Sequence, residues 1–121
     1  CPDLGFTRSH AIAVDVSEFG GGKDVAQRME DANMICNKNM LPWDESAVRP
    51  SGLRLGSQEM TRIGMKESDM KEVASFIERI CKGEDAKKVK ADVREFRKGF
   101  KSVKYCFNDN EPAYGYRKLV P

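Results

Sequence analysis

The chain has 121 residues, enough for one hydrophobic core and not for two. Its 21 basic and 19 acidic side chains leave a formal net charge of +2, an excess too small to draw it strongly to nucleic acid or to a membrane surface. No apolar run approaches the roughly 18 residues of a membrane span, and no signal-peptide pattern is present.

Cys1, Cys36, Cys81 and Cys106 are widely spaced and form no CxxC pair. Cys36 and Cys81 fall within apolar patterns, where a reduced thiol behaves as a small hydrophobe, so free thiols in a cytoplasmic protein are expected. The sequence opens Cys-Pro-Asp in place of Met, which fits a piece of something longer.

His10 to Val16 (HAIAVDV) is apolar and β-branched and runs into the turn cluster SEFGGG, which predicts a strand ending near Val16. From Lys23 the period lengthens. Val25, Met29 and Ala32 recur at i, i+4 and i+7 while Lys23, Asp24, Gln27, Arg28, Glu30 and Asp31 take the other face, an amphipathic helix ending near Asn33. Met34 to Lys38 reads as a short strand. Residues 39 to 51 hold Pro42 and Pro50 among Asn, Asp and Ser, an irregular loop.

Leu53 to Gly56 is the next strand. Alternation puts Leu53 and Leu55 on one face and Arg54 on the other, and the flanking Gly52 and Gly56 would let a ligand or another backbone approach. From Met65 to Lys82 the residues Met70, Val73, Ala74, Ile77, Ile80 and Cys81 are helically spaced, with Glu67 and Asp69 in the first turn to complement the macrodipole. Gly83 breaks this helix, and Asp85 caps a third carrying Val89, Val93, Phe96 and Phe100. Val103 to Phe107 reads as a short strand, and residues 108–121 as an extended or mobile tail. The order predicts an α/β (α+β) unit in which two or three helices cover one face of a small sheet.

Four features invite a functional reading. FGGGKD between strand and helix suggests a phosphate loop, but Ser17 stands where its first glycine belongs and Asp24 where its Ser or Thr belongs, so a plain turn is expected. His10, the single histidine, can form neither a metal site nor a relay alone, and reads as structural. Residues 82–104 hold nine basic and four acidic side chains. They could hold RNA or an acidic partner as a freestanding α/β module, but the acids at i+3 and i+4 favour a solvated face and no nucleic-acid partner. Arg54 reads as an exposed edge-strand residue or, more sharply, as a bidentate clamp on a carboxylate, for which arginine's planar fork is better suited than lysine.

The runs NKNMLPWD, PSGLRLGS and MTRIGMKESDMKEVASFIERI, in that order, resemble the C-terminal domain of the serine hydroxymethyltransferase family, whose members show NKN, then SG[IL]R[IL]G[TS], then GxxExDMxE[IV]A. The resemblance covers about Ser9 to Ile80, and the wording QEMTRxGM together with the helix at 85–100 is closer to the archaeal branch. It implies the small C-terminal domain, residues 1–107, of a homodimeric fold-type I pyridoxal-phosphate enzyme of the aspartate aminotransferase-like fold, a two-layer sandwich. Such enzymes interconvert serine and glycine with one-carbon transfer to a reduced pterin, tetrahydrofolate or tetrahydromethanopterin.

By the same resemblance, Arg54 grips the substrate carboxylate so that the scissile bond at Cα stands perpendicular to the cofactor ring. Lys38 and Asn39 contribute to the pterin pocket. Met40 replaces a small hydroxyl residue common in bacterial forms, the loop Trp43 to Pro50 departs from the pattern, and Arg62 lies one position before the arginine of the usual TxRG. The cofactor lysine, the ring-nitrogen Asp and the ring-stacking residue belong to the large N-terminal domain. The chain alone is therefore expected to hold no catalytic residue and no metal, and to be inactive.

Overall fold

A computed structural model describes residues 7–106 and 112–114. Three strands, β1 (Ala11–Asp15), β2 (Asn37–Asn39) and β3 (Gly52–Gly56), form one antiparallel sheet in the order β1-β3-β2. Four helices, α1 (Gly21–Asp31), α2 (Gln58–Arg62), α3 (Glu67–Cys81) and α4 (Ala86–Arg97), complete an α+β unit.

The core gathers where the apolar stripes of three helices meet β3. Leu53 is fully buried among Val25 and Met29 of α1, Phe76 and Ile80 of α3 and Val89 of α4. Each such side chain removed from water contributes about 2 kcal/mol. Phe76 and Phe96 meet edge to face with centroids 5.7 Å apart, locking α3 to α4. At the solvent edge of the same contact Arg79 reaches Glu84 at 2.8 Å and Asp92 at 2.7 Å.

The helix ends follow from local chemistry. Asp85 accepts the Lys87 N–H at 3.0 Å, the expected cap of α4. At the start of α3 the Asp69 carboxylate accepts the Lys66 N–H at 2.7 Å. α1 stops because Asn33 turns left-handed (φ 64°) and the Met34 N–H returns to the Met29 carbonyl at 2.8 Å.

Four expectations change. β3 is the central strand and not an edge, because β1 and β2 pair on either side of it; strand order is a non-local property that alternation does not encode. α1 begins at Gly21, two residues early. Left-handed Gly20 and Gly21 turn the chain inward, and Gly22 lies so close to β3 that a built Cβ would sit 2.1 Å from the Gly52 carbonyl oxygen. β2 occupies Asn37–Asn39 and not residues 34–38, since β3 offers partners only to those three.

The strand expected at Val103 to Phe107 does not form over residues 103–106. Instead Ser102 makes an isolated bridge to Pro112, and the Lys104 N–H donates to the Arg62 carbonyl at 2.8 Å. Of the tail, only residues 112–114 are described; Phe107 and the rest of 108–121 lie outside the described residues. Tyr114 lies under the guanidinium groups of Arg62 and Arg97, 5.6 and 5.2 Å from its ring centre, with its hydroxyl on Glu59.

Candidate functional site

Opposite residues on antiparallel strands share a face, so the register assembles the site directly. Arg54 lies between Ala13 of β1 and Asn37 of β2, and Gly52 between Asp15 and Asn39. The face away from the helices thus carries one guanidinium and two amides on a floor of alanine and glycine. Leu53 fills the opposite face, and Leu55 beside it is half-buried, as alternation predicts.

Arg54 is exposed, and among the described residues its guanidinium has no hydrogen bond or ion pair. The one carboxylate on its face is committed elsewhere. Asp15 accepts the Ser17 hydroxyl at 2.6 Å and the Ser17 N–H at 2.8 Å, and these bonds hold it below the usual carboxylate range. A rigid five-donor fork is left for something outside the described residues.

Arg54, Lys38 and Asn39 line one open cleft of ≈ 550 Å³, together with Asn37 and with Lys23, Gln27 and Glu30 of α1. The cleft wraps the short edge strand. Asn37 and Asn39 share Arg54's face, whereas Lys38 pairs with Leu53 and reaches the cleft from the helix side. Three cations against one carboxylate suit an anionic ligand. The Asn39 amide donates to the Met40 carbonyl at 2.6 Å, which fixes its orientation.

Sequence reasoning passed over Asn37 and the helix residues. Asn37 was legible as the alternate of Asn39 in a strand, and Lys23, Gln27 and Glu30 as a polar i, i+4, i+7 stripe; what was missing was the strand pairing that sets Asn37 opposite Arg54 and the packing of α1 that brings its stripe to the same cleft. The flanking glycines serve the chain's own packing. A Cβ on Gly52 would lie 2.7 Å from Leu41 Cγ, and one on Gly56 would meet the movable amide end of Gln58.

The loop joining β2 to β3 is pinned by Asp44, whose carboxylate accepts the Leu41 and Ser51 N–H groups, each at 2.8 Å, and is held ionised by them. The glycine turn offers no phosphate cradle: the Gly21 and Gly22 N–H groups already donate to the Val16 and Pro50 carbonyls at 3.0 and 2.8 Å. His10 is exposed and its backbone carbonyl accepts the Ser57 N–H. In the basic run Lys98 pairs with Glu95, and Arg97 is stacked on Tyr114. Burial raises the pKa of the half-buried Cys36 and Cys81 thiols, which favours the protonated form. Among the described residues no group of three or more His, Cys, Asp or Glu is placed to hold a metal, and no helix is long and apolar enough to cross a membrane.

Fold and cleft together define a small α+β unit whose central strand carries an exposed arginine beside a cleft of net positive charge. The sequence profile of serine hydroxymethyltransferase matches residues 4–77, more than half of the chain. Among its relatives, the serine hydroxymethyltransferase of Pyrobaculum aerophilum is 59% identical over 104 residues, 86% of this chain and 24% of the relative. Those of Methanocella arvoryzae and Thermoplasma acidophilum are 54% and 51% identical over 119 residues, in each case 96% of this chain and 28% of the relative. The chain belongs to the serine hydroxymethyltransferase family; these relatives are archaeal enzymes, and it spans about a quarter of their length.

Proposed function

We propose that this chain is the small C-terminal domain of a serine hydroxymethyltransferase that interconverts serine and glycine and passes a one-carbon unit to a reduced pterin. The observation that carries the reading is Arg54, exposed at the centre of the sheet and without a partner among the described residues, in the motif SGLRLGS. A guanidinium with no partner among the described residues, in a cleft with a net positive lining, is matched in charge and geometry to the carboxylate of a small amino acid.

In this reading Arg54 forms two parallel hydrogen bonds to the serine or glycine carboxylate and fixes the orientation of Cα. Asn37, directly opposite, donates its amide to the same end of the substrate or to the pterin, with Asn39 beside it and Lys38 at the outer lip. Pyridoxal phosphate supplies the electron sink for the bond broken at Cα. The cleft does not fit that cofactor, since among the described residues no aromatic side chain lines it to lie against the ring. Cofactor binding is therefore assigned to the large domain, and the chain by itself is inactive. The two-layer sandwich of the fold-type I transferases, a homodimeric full-length enzyme, a cytoplasmic location, and either tetrahydrofolate or tetrahydromethanopterin as acceptor belong to the same proposal.

The test uses the full-length protein carrying Arg54→Lys. A point charge cannot reproduce the fork, so KM for serine rises about a hundredfold, the equivalent of ~3 kcal/mol for a charge-assisted pair, while the cofactor absorbance stays unchanged. Unaltered kinetics would remove Arg54 from the site.

A further inference from the structure

Asn39 closes β2, an edge strand of three residues whose pairing with β3 ends at Asn39 and Gly52. Past that pair a local run of hydrogen bonds takes over. The Asn39 Nδ2 donates to the Met40 carbonyl at 2.6 Å, and the N–H at the other end of the same peptide unit, that of Leu41, donates to Asp44 Oδ2 at 2.8 Å. A trans peptide unit is planar with its carbonyl and N–H pointing opposite ways, so whatever fixes the N–H also aims the carbonyl. A carboxylate is a stronger acceptor than a neutral oxygen, and it polarises the peptide whose carbonyl Asn39 uses.

Asp44 is itself fixed. Its Oδ2 also accepts the Ser51 N–H at 2.8 Å, its own N–H donates to the Leu41 carbonyl at 2.9 Å, and the Ser51 carbonyl accepts the Val16 N–H at 2.9 Å just past β1. Leu41 is buried, and a Cβ built on Gly52 would lie 2.7 Å from Leu41 Cγ and 2.9 Å from the Asn39 carbonyl oxygen, so the two arms of the loop are pressed together where the carboxylate joins them. Arg54 needs no such clasp. Its strand is paired on both sides from Gly52 to Arg54, whereas β2 is paired on one.

We propose that Asp44 is a positioning residue for Asn39: by fixing the Met40–Leu41 peptide, its carboxylate holds the Asn39 amide in one orientation at the cleft, with one N–H spent on the backbone and the oxygen and second N–H left for a ligand. A preset amide lowers the entropic cost of binding. The inference rests on the proposed function in one respect, that the ligand Asn39 meets is the reduced pterin. The serine carboxylate, held by Arg54, lies outside this relay.

The experiment uses the full-length protein with 15N-labelled asparagine, in which the Asn39 side-chain signal is the one lost in Asn39→Ala. The parent's Asn39 amide protons should exchange with solvent roughly tenfold slower than those of free asparagine, those of Asp44→Ala at the free rate, and those of Asp44→Asn, whose amide oxygen still accepts both N–H groups, in between. Tetrahydrofolate and tetrahydromethanopterin are then titrated by calorimetry. Whichever the parent binds should bind Asp44→Ala about tenfold and Asp44→Asn about threefold more weakly, and the Asn39→Ala/Asp44→Ala double variant no more weakly than Asn39→Ala, because one residue acts through the other. Serine affinity should stay within about twofold of the parent throughout, which a collapsed loop would not allow.

Asn39 exchange unaffected by Asp44→Ala, losses that add in the double variant, or serine and pterin affinity falling in parallel overturns the proposal. Should Asp44→Ala fail to fold, the loss in Asp44→Asn must vanish in the Asn39→Ala background, and a loss that persists there overturns it equally. Asn39 protection that depends on Asp44, with pterin affinity absent or indifferent to Asn39→Ala, leaves the positioning standing and removes the pterin assignment; pterin affinity that depends on Asn39 and not on Asp44 does the reverse.

Discussion

Arg54 and Asn37 face each other across the β2–β3 pair, a guanidinium and an amide on the exposed side of the sheet. Neither is used by the described part of the chain for its own cohesion. The pairing makes Asn37 the nearest cross-strand neighbour of whatever Arg54 holds. Asn37→Ala in the full-length enzyme should weaken serine or pterin binding by about 1 kcal/mol, roughly fivefold in KM, with no change in melting temperature. Steady-state kinetics with each substrate varied in turn will show which of the two the amide serves.

The Glu59 carboxylate accepts both forks of Arg62 at 2.8 Å and the Tyr114 hydroxyl, which lowers its pKa from 4.5 to about 2. A depressed carboxylate stabilises the fold above its unfolded pKa, and that contribution fades as pH falls from 4.5 through about 2. Glu59→Gln should therefore melt below the parent chain at pH 7 and coincide with it near pH 2. Side chains 39% and 44% exposed keep the effect to no more than about 1 kcal/mol. Thermal unfolding of both proteins across that range measures it.

Gly22 and Gly83 separate two reasons for glycine. A Cβ on Gly22 would sit 2.1 Å from a backbone oxygen that the sheet holds in place, so Gly22→Ala should cost about 2–3 kcal/mol. Gly83, at φ +82°, has nothing within 4 Å, and Gly83→Ala should cost only the left-handed backbone penalty of about 1 kcal/mol. Urea unfolding of the two variants distinguishes crowding from strain.

The long helices were legible in the sequence because their order is local. Met70, Val73, Ile77 and Ile80 repeat at helical spacing in α3, and Asp85 announces α4 before its first turn. Helix α2 was missed because five residues are too few to display a period. The segment around Val103 was misread because the Lys104 N–H runs to the Arg62 carbonyl and Ser102 bridges to Pro112, pairings that local sequence does not encode. The site divides the same way. Alternation showed that Arg54 leaves the leucine face, and the motif around it supplied a role, but only the strand order puts Arg54 at the centre of the sheet with Asn37 beside it.

The most direct measurement compares serine with serinamide, which lacks the carboxylate charge, on the full-length enzyme and its Arg54→Ala variant. Contact between Arg54 and the carboxylate predicts that the parent enzyme binds serine about a hundredfold better than the amide, ~3 kcal/mol, and that the variant binds both equally. Discrimination that survives in Arg54→Ala would place the carboxylate elsewhere.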